Sequence, residues 1–200
     1  MASAEPSPGG FNSIRVLVPG TGTRFRCGGL SVALQTARVL STICPTEIVT
    51  YQQRQIDQPF LDDLLQAAAS QDRSLWLVSW GFHIPWLLRR LKSRFVVYQA
   101  HSTGYGFDLP PGVPVLAVSR NTLGYWGDRA PRNPLFLLPN ALEPQWLQRG
   151  DRDGRASQRV IDVLVQQRKS SSYVLKQLVP ALRSRGLRVE VQDGWVDDLV

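Results

Sequence analysis

The chain has 200 residues, of which 43% are hydrophobic and 20% charged. That balance supplies enough apolar material for a core, in one large domain or one and a half smaller ones. Two cysteines, Cys27 and Cys44, exclude a disulfide framework and lack metal-ligand spacing, so a reducing cytoplasm is the expected compartment and no metal is expected. The net charge of +7 rests on 20 arginines and only three lysines, Lys92, Lys169 and Lys176. Arginine suits bidentate pairing with phosphate or carboxylate, and the excess is spread along the chain without a basic run. Anionic ligands or an anionic surface are therefore the expected partners, and nucleic acid is not. No apolar run reaches the roughly 18 residues needed to span a bilayer, and the amino terminus has no basic-then-apolar signal pattern.

Residues 1–12, with Pro6, Pro8, Gly9 and Gly10, read as a mobile tail. An apolar strand follows at 14–19, then a glycine-rich loop from Gly20 to Gly29, then a helix over 29–41. A helix amino terminus carries unpaired N–H groups and partial positive charge, and Gly28-Gly29 let an anionic ligand approach them. The loop is no dinucleotide fingerprint, because Phe25 stands where a third glycine is required and no acidic residue closes the strand near 51. The Gly-Lys-Ser/Thr phosphate loop is also missing from the sequence.

Further strands are expected at 47–51, 75–79, 95–99, 115–118 and 135–138, with helices near 59–69, 85–93 and 120–126 between them. Runs such as Leu75-Trp76-Leu77-Val78 and Phe95-Val96-Val97-Tyr98 are continuously apolar, as in a parallel sheet covered on both faces. Pro59 and the acidic pair Asp62 and Asp63 mark the start of the helix at 59–69. The alternation predicts a doubly wound α/β fold, whose ligands sit at the carboxyl ends of its strands.

Two histidines fall at such ends. His101 follows the strand at 95–99 and precedes Gly104, a position suited to acid–base or hydrogen-bonding work. The competing reading is a loop histidine that satisfies local backbone groups. His83 also lies near a strand end, where a plain helix-start residue is the competing reading. The helix from Ile84 to Arg94, with Trp86 and three leucines among basic residues, fits either an anionic membrane face or a sheet-covering helix with a basic solvent side.

Residues 148–159 contain almost nothing apolar and read as a linker. Beyond it a strand at 160–165, a basic turn, a helix over 172–185 ending at Gly186, and a strand at 187–191 make one incomplete βαβ unit. Arg168-Lys169 and three serines precede that helix and make either a second phosphate site or ordinary helix-start residues. The half-built sheet leaves an exposed strand edge that favours self-association.

Taken in order, these residues resemble the amino-terminal half of a retaining, nucleotide-sugar-dependent glycosyltransferase of the two-domain GT-B architecture, in glycosyltransferase family 4 (group 1). The resemblance implies a Rossmann-like acceptor-side domain over 13–147 and the start of a donor-side domain over 160–200. It rests on Gly28-Gly29 at the first helix, on His101, on Val118-Ser119-Arg120-Asn121-Thr122 followed by Pro139-Asn140-Ala141-Leu142, and on Arg168-Lys169. It implies that Gly28, Gly29, Arg168 and Lys169 meet the donor diphosphate, that His101 lines the reaction centre as the catalytic candidate, and that the acceptor lies near His83. The expected donor is a nucleotide-diphosphate sugar used as substrate, with no separate cofactor. The expected compartment is the cytoplasm, and the basic helix from Ile84 to Arg94 adds the expectation of a peripheral position at the inner face of the membrane. The family also carries a closely spaced pair of glutamates in its second domain. Here Glu190 is the only glutamate after the linker, so the expectation is a truncated or split enzyme, inactive alone. The alternative is a non-catalytic α/β module that binds an anionic small molecule or a partner surface.

Overall fold

The computed structural model describes residues 10–79, 81–140, 161–167 and 170–193. The chain divides into two compact units, Met1–Glu143 and Pro144–Val200. In the first, six strands form one parallel sheet: β1 (Ser13–Val18), β2 (Thr46–Thr50), β3 (Ser74–Val78), β4 (Phe95–Ala100), β5 (Val115–Ala117) and β6 (Leu135–Leu137). Their order is β2-β1-β3-β4-β5-β6. Helices α1 (Gly28–Leu40), α2 (Leu61–Leu64), α3 (Ile84–Arg90) and α4 (Arg120–Arg129) fill four of the five crossovers, and β4 passes to β5 without a helix. This is the α/β, Rossmann-like architecture that the apolar runs predict, and all six strands lie where they do.

Side chains alternate across each strand, so one strand feeds two cores. Ile14, Val16 and Val18 of β1 pack with Leu77 and with Leu30, Ala33 and Ala37 of α1, whose spacing of three and four residues makes one helical face. Leu17, Trp76, Val78, Tyr98 and Ala100 face the other way, against Leu61 of α2, Ile84 and Leu87 of α3 and Trp126 of α4. The order of α4 begins at Ser119, whose hydroxyl accepts the Thr122 N–H at 3.1 Å as an amino-terminal cap.

The helix expected at 59–69 is mostly not there. It shrinks to α2, a turn, and a 3-10 segment at Ala69–Gln71. Beyond Leu65 no residue of this stretch is buried until the turn ends, and the Ala67 carbonyl accepts from Arg94 at 2.7 Å instead of closing another helical turn. A helix with no face to bury has little to hold it.

A buried carboxylate ties the amino ends of the strands together. Asp72, with its side chain 4% exposed, pairs with Arg94 at 2.9 Å and Arg15 at 3.3 Å. It also accepts the Ser74 N–H at 3.0 Å and the Trp76 indole N–H at 2.8 Å. Arg15 reaches on to Glu47 of β2 at 2.7 Å and lies over the Trp76 ring. Gly10 and Asn12, read from sequence as tail, are held here through Arg73, whose guanidinium donates to the Gly10 carbonyl and whose carbonyl accepts from Asn12.

In the second unit, β7 (Val163–Gln166) and β8 (Val189–Gln192) pair in parallel around Val165, Val179 and Val189. The connecting helix opens with a π-helical stretch, Val174–Leu178, before α5 (Val179–Ser184). Pro180 lacks the N–H that would bond the Lys176 carbonyl, which loosens the ladder at that point. Gly186, at φ +83°, ends the helix as expected: its N–H meets the Arg183 carbonyl and Leu187 that of Leu182. The linker at 148–159 lies outside the described residues.

Burial alone pushes the Asp72 carboxyl up, but donation from Ser74 and Trp76 and the Arg15 charge outweigh it and hold it below its usual range. A carboxyl held low stabilises the fold above its unfolded pKa of about 3.9, and that contribution disappears as pH falls through the lower folded value. Asp72→Ala is expected to cost about 3–5 kcal/mol, because it strands Arg94 without a counter-charge and leaves Arg15 only Glu47. Denaturant titrations at pH 7 and pH 3 check this: the gap between wild type and variant should narrow at the acid end.

Candidate functional site

The chain leaves β1 toward β2 on one side and passes back to β3 on the other, so the strand order reverses between β1 and β3. Ligands of open α/β sheets sit above the carboxyl ends at such a point. Two loops frame the crevice there, one from β1 through Pro19–Cys27 and one from β3 through the 3-10 turn Gly81–His83. Each has a glycine that the packing demands. A Cβ on Gly20 would collide with the Phe25 ring, and one on Gly81 with the Tyr105 ring.

The β1 loop ends at the amino terminus of α1. Cys27 caps it in extended conformation without a side-chain hydrogen bond, and the first turn has no acidic residue. The first ladder bond runs from the Ser31 N–H to the Cys27 carbonyl, so the N–H groups of Gly28, Gly29 and Leu30 have no role in the helix ladder. Gly28 faces open space: a Cβ there meets nothing within 4 Å. The loop also brings up Arg24, exposed and stacked 4.4 Å from the Phe25 centroid, a cation that the sequence reading left out of the site.

His83 closes the crevice sideways. Its Nδ1 lies 3.0 Å from the Tyr51 hydroxyl and its Nε2 2.9 Å from the Gln52 amide nitrogen, both just past β2. The amide donates, so Nε2 accepts and the ring proton sits on Nδ1. Burial pushes the Tyr51 phenol far up, which keeps it neutral. His83 therefore joins the exits of β2 and β3 across β1, with both nitrogens engaged.

His101 differs. It follows β4 directly, and its Nε2 is buried without a hydrogen-bond partner among the described residues. Burial lowers its pKa below the ordinary 6.5, and a hydrogen bond with the Asn140 side chain partly offsets the shift. The ring is neutral at pH 7, with the uncommitted Nε2 available as an acceptor. Asn140 follows β6, so two stretches far apart in sequence meet at this ring. Gln99, one residue inside β4, is 2% exposed with its Oε1 also unpartnered among the described residues. Strand alternation puts Gln99 and His101 on the same sheet face as Val97, the face that carries α1. The sequence reading missed Gln99, although one amide near the end of an apolar strand was the available signal.

Arg168 and Lys169 lie outside the described residues. Ser171, just past them, accepts the Val174 N–H at 3.3 Å, a helix-start contact. Among the described residues no three His, Cys, Asp or Glu side chains come together as a metal site. No family model and no curated protein matches the chain.

A histidine whose folded pKa is lowered binds fewer protons than in the unfolded chain, so stability falls as pH drops below about 6.5. NMR titration should place His101 below that value, and Asn140→Ala should lower it further. A His101→Gln variant should flatten the stability profile between pH 6.5 and the folded pKa.

Proposed function

We propose that the chain is the acceptor-side part of a retaining glycosyltransferase that uses a nucleotide-diphosphate sugar. The observation that carries the reading is the open amino terminus of α1 and, two strand positions away, a neutral histidine whose buried Nε2 has no partner among the described residues, both at the carboxyl edge of one parallel sheet. β1 and β4 are two strand positions apart, so the loop and His101 are separated by about 10 Å at the sheet, the scale of a diphosphate sugar.

In this reading the N–H groups of Gly28 and Gly29, with Arg24, hold the donor diphosphate and stabilise the charge that builds on it as the sugar departs. Arg168 and Lys169, which lie outside the described residues, are the further donor-phosphate candidates that the resemblance implies. His101 accepts a hydrogen bond at the reaction centre, and His83 holds the acceptor side in shape. Two free thiols, Cys27 and Cys44, fit a reducing cytoplasm. Self-association through the β7–β8 sheet, which has no third strand among the described residues, belongs to the same reading.

The alternative is a module that binds an anionic small molecule without catalysis, through the same open amino terminus of α1. Calorimetry with nucleoside diphosphates, followed by hydrolysis assays with the matching nucleotide sugars, separates the two. Gly28→Ala should leave thermal stability unchanged or slightly raised, since alanine favours helix and the space is open. It should weaken diphosphate binding about tenfold by crowding the N–H groups. Turnover lost in His101→Ala, with binding kept, supports transfer. Because the part alone is expected to be inactive, tighter binding of a nucleotide sugar than of its nucleoside diphosphate, lost in His101→Ala, also supports the glycosyltransferase part. Equal binding of the two without turnover supports the module, and no binding by the wild-type chain rejects both.

A further inference from the structure

The opposite end of the same sheet carries a second feature. β5 starts late: its first residue, Val115, pairs with Tyr98, so Phe95, Val96 and Val97 have β3 on one side and, among the described residues, no strand on the other. The result is a notch at the amino end of β4, part of an open cleft of about 1070 Å³. Both faces of β4 reach it, Val96 from one and Phe95 and Val97 from the other. Leu88 and Leu91, at the end of α3, form one wall, and Pro110, Pro111 and Pro114 stand opposite. Proline has no N–H to offer β4, so the notch cannot close by strand pairing and stays apolar.

Its rim is basic. Arg89 and Lys92 line it, are exposed, and make no ion pair among the described residues. Their neighbours are spent: Arg90 pairs with Asp62, and Arg94 with Asp72. Asp108, the acidic group on the lining, is neutralised by Arg129 at 2.8 Å. Arg132 adds a further exposed cation, its carbonyl bonded to the N–H of Gly112 in the far wall. Phe95, at 51% exposed, sits at the mouth.

An apolar, open cleft with unspent cations at its lip matches a surface that is apolar inside and anionic outside. We propose that this end of the sheet docks on an anionic lipid bilayer, with Arg89 and Lys92 at the headgroups and Phe95 and the cleft at the acyl boundary. The crevice at the carboxyl ends is then held about 20 Å above the lipid, one strand length away, and faces water. This docking does not depend on glycosyl transfer, because it uses none of the residues of the crevice.

Flotation of the full chain with vesicles tests it. Vesicles of phosphatidylcholine with phosphatidylglycerol should carry the protein, and phosphatidylcholine alone should not. Raising salt from 0.1 to 0.5 M should weaken binding. Arg89→Gln with Lys92→Gln should reduce partitioning about 25-fold, roughly fivefold per cation. Phe95→Ser should reduce it at unchanged charge. Lys176→Gln with Arg185→Gln, two exposed cations of the second unit, should leave it intact. Circular dichroism and thermal melts confirm that each variant folds. Failure of the wild type to float, no effect of the Arg89 and Lys92 changes, no effect of Phe95→Ser, or equal loss in the second-unit control overturns the proposal.

Discussion

A parallel sheet cannot set its register with hairpins, because each strand is reached by a crossover and neighbours are distant in sequence. In this chain the register depends on one buried carboxylate. Asp72 cross-links β1 through Arg15 and the approach to β4 through Arg94, while accepting the Trp76 indole from β3 itself. Arg15 carries the link to β2 through Glu47. Four strands are thereby aligned at their amino ends by groups that would each be costly to bury alone. The net energy of such a cluster is small, but removing one member leaves the others charged and desolvated. Its contribution is therefore to specify a single register.

Placing the lock at the amino ends leaves the carboxyl ends free to hold groups the fold does not need. Gln53, Gln99 and His101 each have a buried polar atom unpartnered among the described residues, and α1 offers N–H groups outside its own ladder. A buried unpaired acceptor costs roughly 1–3 kcal/mol, which the locked end and the two cores must offset. The loops tolerate it because aromatic rings press on them: Phe25 covers Gly20 and Tyr105 covers Gly81. Two other buried polar atoms without a partner among the described residues, the Tyr98 hydroxyl and the Trp126 indole nitrogen, lie in the second core.

Local signals were legible in the sequence. The continuous apolar runs located all six strands, and Gly186 marked the end of α5. The helix expected at 59–69 failed because its start signals are local, whereas its continuation needed a buried face that the sequence after Leu65 does not supply. The arginine partners of Asp72, and the clamp on His83, come from residues many positions away, and no periodicity encodes them. His101 was legible as a strand-end residue, but its contact with Asn140 arises only when β4 and β6 are brought to the same edge.

The two histidines show why position alone does not assign a role. Both lie at carboxyl ends of adjacent strands, and the sequence gives neither a distinguishing neighbour. The fold surrounds His83 with a phenol and an amide that engage both nitrogens, so any proton it gained would have to displace one of those bonds. Such a ring transmits position between strands. His101 has a buried Nε2 with no partner among the described residues, and burial favours its neutral form. An uncommitted base in a desolvated place interacts strongly with whatever donor reaches it, because little water competes. The two rings have the same chemistry, and the neighbours brought by β2 and β6 make one a brace and leave the other able to respond to a ligand.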